Sequence, residues 1–201
     1  MYLTAEESSE ARAFHHYRVR QYRESIDACE AWAKDEPFST RPLQFAAITA
    51  SFTGMYSEAI RFAHSGLALE IENQVLLNAL VFAHASLGEI SEAKKYAKRP
   101  SCLPSDDPLT LVMEANFGRL AFRTGRLDEG AAIYKNVIEQ FKRTGKLTES
   151  ASAMAYLARE GLPAKHPDGP KWLKEAKEAS SKLNAPEVQV VLSSIEENQQ
   201  A

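Results

Sequence analysis

A chain of 201 residues with 44% hydrophobic and 25% charged side chains carries enough apolar material for a packed core, which excludes a disordered or collagenous chain. Its formal net charge of -3 withholds the Lys and Arg surplus by which general nucleic-acid binders neutralise phosphates, so the balance argues against nucleic acid as a partner. No run of 18 apolar residues occurs, and MYLTAEESSEARAF at the start is polar and acidic, which reads as a cytoplasmic chain with neither a membrane span nor an export signal.

The first expected helix pair occupies 6–39, with Ala13 and His16 on the inner side of the first helix and RQYRESIDACEAW (20 to 32) opening the second. The same layout returns over 40–73, where Leu43, Ala46, Ala47 and Ala50 precede GMYSEAIRFAHSG (54 to 66), and over 74–110, where Leu77, Leu80, Val81 and His84 precede GEISEAKKYAKRP (88 to 100). Arg20, Gly54 and Gly88 stand 34 residues apart, and the next step, to Gly125 in GRLDEGAAIYKNV (125 to 137), is 37. Two positions after each turn residue comes Tyr22, Tyr56, Ile90 or Leu127, and five positions after it Ser25, Ala59, Ala93 or Gly130. One large anchor and one small residue three apart share a helix face, which lets an antiparallel neighbour approach closely.

Pro100 falls where the second helix of the third pair would still be running, so that helix is expected to stop near Lys98. RPSCLPSDDP then forms a protruding loop, with Asp107 as the N-cap of the next helix and Pro108 in its first position. The fourth pair, 111–146, carries Phe117, Gly118 and Ala121 in its first helix. A fifth, looser pair, 147–185, consists of LTESASAMAYLARE, the punctuated GLPAKHPDGP and KWLKEAKEASSKL. A last helix over 186–199 puts Val188, Val191, Leu192 and Ile195 on one side, as a cap needs.

The 34-residue period and the small-residue slots resemble the tetratricopeptide repeat, a helix-turn-helix unit of that length. The resemblance covers residues 6 to about 140 well and the remainder loosely. The tryptophan of the family pattern is replaced by Ser9, Leu43, Leu77 and Glu114, and its closing proline survives only as Pro37. It implies an all-α fold over 1–201, a right-handed α-solenoid of antiparallel helix pairs (a TPR-like superhelix) with a C-terminal capping helix.

The resemblance further implies that the first helices line a concave groove, and counting back from the turn residues assigns positions to it. The expected partner-binding residues are Phe14, Tyr17 and Arg18 in the first pair, then Arg41, Gln44, Ile48 and Phe52. Asn78 and Phe82 follow in the third, and Arg119, Phe122 and Arg123 in the fourth. Phe14, Phe52, Phe82 and Phe122 are equally compatible with packing between repeats, whereas arginine beside aromatics is the composition of a protein-recognition patch. The expected partner is a protein or peptide with acidic and apolar side chains, since arginine favours carboxylates. Some family members clamp a chaperone's C-terminal carboxylate with Lys and Asn on successive first helices. Here Glu10, Phe14, Gln44, Ile48, Asn78 and Phe82 stand there instead, and the clamp is missing.

No HExxH, CxxC, GxSxG or Walker-type GxxxxGK occurs, and no catalytic, cofactor or metal residues are assigned. His15 and His16 are neighbours that point to different sides of a helix, and His84 takes the slot of His16, so all three read as structural. Cys29 reads as a buried apolar residue. The expectation is a non-catalytic scaffold that holds a peptide or helix. The alternatives are a regulatory or sensor repeat domain of a larger effector enzyme and a helical-repeat RNA binder, with self-association through the array ends left open.

Overall fold

A computed structural model describes residues 8–98, 104–183 and 185–200, and among them it contains eleven α-helices and no strand. The helices group into two compact units, 1–87 and 88–201. The first holds α1 (Ser9–Arg18), α2 (Tyr22–Asp35), α3 (Arg41–Phe52), α4 (Tyr56–Leu67) and α5 (Gln74–Ser86). The second holds α6 (Ile90–Tyr96), α7 (Pro108–Arg123), α8 (Leu127–Arg143), α9 (Leu147–Gly161), α10 (Gly169–Ser181) and α11 (Pro186–Gln200).

Three of the turns inside a pair repeat one piece of backbone chemistry. Arg20, Gly54 and Gly125 adopt φ of 65°, 84° and 80°, and the next residue's amide reaches back to the helix, Gln21 N to His16 O, Met55 N to Ala50 O and Arg126 N to Ala121 O, each at 2.9 Å. This is the left-handed helix ending that satisfies carbonyls otherwise left without partners, and it reverses the chain in three residues. The turn from α8 to α9 uses it too, with Gly145 at φ 73° and Lys146 N bonded to Phe141 O at 2.8 Å. Of these four Arg20 alone must hold a side chain in this region, as Lys165 does at φ 54° between α9 and α10, at a cost of about 1–2 kcal/mol for an L-residue.

The small-residue slots lie where the helices of a pair cross. Ser25 and Ala13 have no exposed surface, and Ser25 Oγ donates to Ala13 O at 2.8 Å, so the hydroxyl satisfies itself on the helix it touches. Ala47 and Ala59, twelve residues apart like Ala13 and Ser25, are also fully buried. A very close approach falls between α7 and α8, where a Cβ added to Gly130 would stand 2.8 Å from Gly118 O and 2.6 Å from Phe122 Cδ2. In unit 1 the core around these crossings is built from Ile26, Trp32, Phe62, Leu76 and Leu80. In unit 2 Tyr134, Val137, Phe141, Leu157 and Trp172 serve.

Helix ends follow the expected chemistry. Ser8 Oγ accepts from Ala11 N at 3.0 Å and caps the start of α1. Asp107 accepts from Leu109 N at 2.9 Å, with Pro108 in the first position of α7. α6 ends at Tyr96 with Ala97 as its C-cap, close to the stop expected near Lys98. The loop expected between Pro100 and Pro108 lies partly outside the described residues, which resume at Pro104. α11 packs on α9 and α10 and buries Val188, Val191, Leu192 and Ile195.

Two substitutions of opposite sign test this account. Gly130→Ala forces backbone apart at the α7–α8 crossing and should destabilise by about 2–3 kcal/mol, the upper range for overpacking. Arg20→Gly relieves the left-handed strain at an exposed position and, after the extra entropy of an unfolded glycine is subtracted, should stabilise by up to about 1 kcal/mol. Urea titration of both variants reads the two effects; a neutral Gly130→Ala would refute the crossing geometry.

Candidate functional site

In unit 1 the first-helix face is built on aromatic contacts between α1, α2 and α3. Phe14 lies 4.6 Å from Phe45 and 6.0 Å from Trp32, ring centre to ring centre, and stays 42% exposed. Tyr17 joins Phe45 at 5.3 Å and Phe52 at 5.9 Å, and Phe52 meets Tyr22 edge-on at 5.1 Å. Ile48, one turn from Phe52, is 47% exposed. These rings are therefore packed on one side and partly open on the other.

The polar members of this face are more committed than their sequence positions suggest. The Arg41 guanidinium lies 5.0 Å over the Trp32 ring, pairs with Glu10, and stands 3.8 Å from Glu36. Gln44 donates to Thr40 Oγ1 at 2.9 Å. Arg18 is exposed. In α5, Asn78 is buried, so it is not available on an open face, while Phe82 is half-buried with its ring 6.3 Å from Tyr56.

Unit 2 corrects the sequence reading. Arg119 and Phe122 were expected in an open groove, but they are 1% and 5% exposed. α7 packs on α9 as well as α8, and Phe122 is enclosed by Trp172 at 6.4 Å, Tyr134 at 6.3 Å and His166 at 6.4 Å. Burial of Arg119 is compensated by Glu160 of α9, itself buried, whose Oε1 stands 3.1 Å from Arg119 Nε. Arg123, 36% exposed at its side chain, donates to the other carboxylate oxygen at 2.7 Å. The Arg119 guanidinium also lies 5.2 Å over the Tyr156 ring, and burial pushes the pKa of the Tyr134 hydroxyl up. Two guanidiniums thus share one carboxylate inside the core, which is a structural arrangement of charge.

Glu160 was the informative residue that sequence reading passed over. A carboxylate in the last turn of a helix opposes the helix dipole, so its presence there signals a specific cationic partner. His166 was missed for a different reason. It sits in the punctuated loop, stacks on Trp172 at 4.3 Å, accepts from Asp168 N at 3.1 Å and faces Asp128 at 3.6 Å. Nothing in its sequence surroundings indicates burial.

The remaining chemistry is sparse. Cys29 is buried, and burial pushes its thiol up to about 12, which removes the thiolate needed for nucleophilic work. His16 Nδ1 lies 2.8 Å from Gln21 Oε1, and the His15 and His16 rings pack edge-on at 5.7 Å instead of diverging to separate sides. Among the described residues no three His, Cys, Asp or Glu side chains are placed to hold a metal ion, and no helix is long and apolar enough to cross a membrane.

The buried charge cluster carries its own test. Glu160→Ala leaves the Arg119 charge uncompensated in the core and should cost about 3–5 kcal/mol, whereas Arg119→Met combined with Glu160→Met should lie far closer to the parent. Thermal melts of the single and double variants decide it; a harmless Glu160→Ala would contradict the pairing.

No protein-family model matches the sequence, and no curated protein matches it. Solved structures do resemble its fold. PilW, described as a widely conserved type IV pilus biogenesis factor, aligns with a TM-score of 0.61 at 15% identity over 99% of this chain and 89% of its own. A putative kinesin light chain of Podosopora anserina with nearly identical TPR-like repeats aligns at 0.56 and 14% identity, covering 90% of this chain and 98% of its own. A MamA RS-1 ArsTM double mutant aligns at 0.55 and 12% identity, covering 88% and 94%. With its helix pairs, recurrent left-handed turns and buried small-residue crossings, this chain has the fold of the tetratricopeptide-like repeat proteins.

Proposed function

We propose that this chain is a non-catalytic scaffold that binds a partner peptide or helix on the first-helix face of unit 1. The contact would be made by Phe14, Tyr17, Arg18, Arg41, Gln44, Ile48 and Phe52. The observation that carries this reading is the pair of half-exposed apolar side chains, Phe14 at 42% and Ile48 at 47%, on a face whose rings are held in place from behind. Fixed aromatic anchors lose little side-chain entropy on binding, which makes them effective recognition points.

Arg18 and Arg41 give this face a preference for carboxylates, so the partner segment combines acidic and apolar side chains. Arg41 already engages Glu10 and Glu36, so a partner carboxylate exchanges for these pairs and gains little from Arg41 alone. Arg18 is the stronger electrostatic contributor. Arg119, Phe122 and Asn78 drop out of the contact set because they are buried.

The test uses the immobilised full chain to capture partners from its native host, identified by mass spectrometry, in parallel with Phe14→Asp plus Ile48→Asp and with Arg18→Glu. The apolar-to-acidic pair should remove the captured partners while leaving the helical CD spectrum intact. Arg18→Glu should weaken binding by up to about tenfold and flatten its salt dependence, as for a charge at an interface rim. Capture that is indifferent to both variants would overturn the assignment of this face.

A further inference from the structure

The two most exposed large apolar side chains among the described residues are Phe38, at 93%, and Ile71, at 81%. They occupy equivalent places, Phe38 in the loop that leads into α3 and Ile71 in the loop that leads into α5, 33 residues apart. The two loops are neighbours. Glu70 Oε2 accepts from Thr40 Oγ1 of the first loop at 3.3 Å and from Asn73 Nδ2 of its own loop at 2.7 Å. Each loop is braced internally, by Ser39 N on Glu36 O at 3.0 Å and by Asn73 N on Glu70 O at 3.1 Å. Leu69, 45% exposed, adds apolar surface to the second loop.

A single exposed hydrophobic side chain needs no explanation, but a Phe and an Ile on adjoining, hydrogen-bonded loops form a patch of the kind that marks an interaction site. Its electrostatic setting is acidic. Asp35, Glu70 and Glu72 are exposed, and none of them forms an ion pair among the described residues. Of the nearby cations, Arg41 is engaged with Glu10 and Glu36, which leaves Lys34.

We infer that this loop edge docks a partner protein segment that interleaves apolar side chains with Lys or Arg. Charge complementarity selects this occupant over the others. A second copy meeting edge to edge would set Glu70 and Glu72 against their own equivalents, and like charges across an interface are repulsive. An anionic membrane surface would repel the same carboxylates. The inference stands independently of the first-helix face, which prefers the opposite charge.

The probe is a phage-displayed random dodecapeptide library panned on the immobilised full chain, followed by fluorescence anisotropy with labelled synthetic copies of the enriched peptides. Enriched sequences should pair apolar residues with Lys or Arg. Their affinity should fall at least tenfold with Phe38→Ser plus Ile71→Ser, and several-fold with Asp35→Lys plus Glu72→Lys, all at exposed positions and with an unchanged thermal melt. They should be indifferent to Phe14→Asp plus Ile48→Asp. Enrichment of acidic peptides alone, or of basic peptides bound equally well by the Phe38/Ile71 double variant, would overturn the inference. So would sedimentation showing a dimer, or flotation showing binding to phosphatidylcholine–phosphatidylserine vesicles, that the same double variant abolishes.

Discussion

Each helix pair depends on how closely its two backbones can approach at one crossing. At Ala13 and Ser25, and again at Gly118 and Gly130, the side chain is cut down to a methyl, a self-satisfied hydroxyl or nothing. That closeness lets core side chains such as Ile26, Trp32, Tyr134 and Val137 become buried, while the anchors Tyr22 and Leu127 stay half-buried, and burial of apolar side chains supplies most of the stabilisation a helix pair can gather. The turn has to match. A left-handed residue with a six-to-one hydrogen bond returns the chain within three residues between α1 and α2, α3 and α4, and α7 and α8.

The same economy explains what happens to charge. A face that is open in one unit is covered in the other because α9 lies against α7, and Arg119 could be enclosed only with a carboxylate brought to it. Glu160 accepts an unfavourable place at the end of its helix in exchange for two guanidiniums, one buried and one at the surface. The cluster is worth little compared with apolar packing of similar volume, but once formed it is expensive to break from one side.

In unit 1 the arginine is at the surface, and the aromatic residues carry the architecture. Arg41 lies over Trp32, and Phe14 and Tyr17 lean on Phe45, so the face is rigid without being closed. The loop edge at Phe38 and Ile71 is built by the opposite logic. Its rigidity is polar, from Glu70 bridging Thr40 and Asn73, and its exposed surface is apolar. One unit therefore carries two partly open surfaces braced by different chemistry, aromatic packing behind one and side-chain hydrogen bonds behind the other.

Sequence alone determined the helical character, the capped start at Asp107 and the turn positions at Arg20, Gly54 and Gly125, because these depend on residues within a few positions of each other. Periodicity and capping are local, and the burial of Val188, Val191, Leu192 and Ile195 was legible for the same reason. Only the tertiary structure decided which first-helix residues face water. Phe14 and Arg119 hold matching places in their repeats, six residues before Arg20 and Gly125, yet one is half open and the other enclosed, because enclosure depends on which later helix is laid across the face. The partner of Arg119 lies 41 residues further along the chain, and the Thr40–Glu70 hydrogen bond that joins the two loops of the apolar edge spans 30 residues. Nothing in the residues around either end records a contact made at that separation.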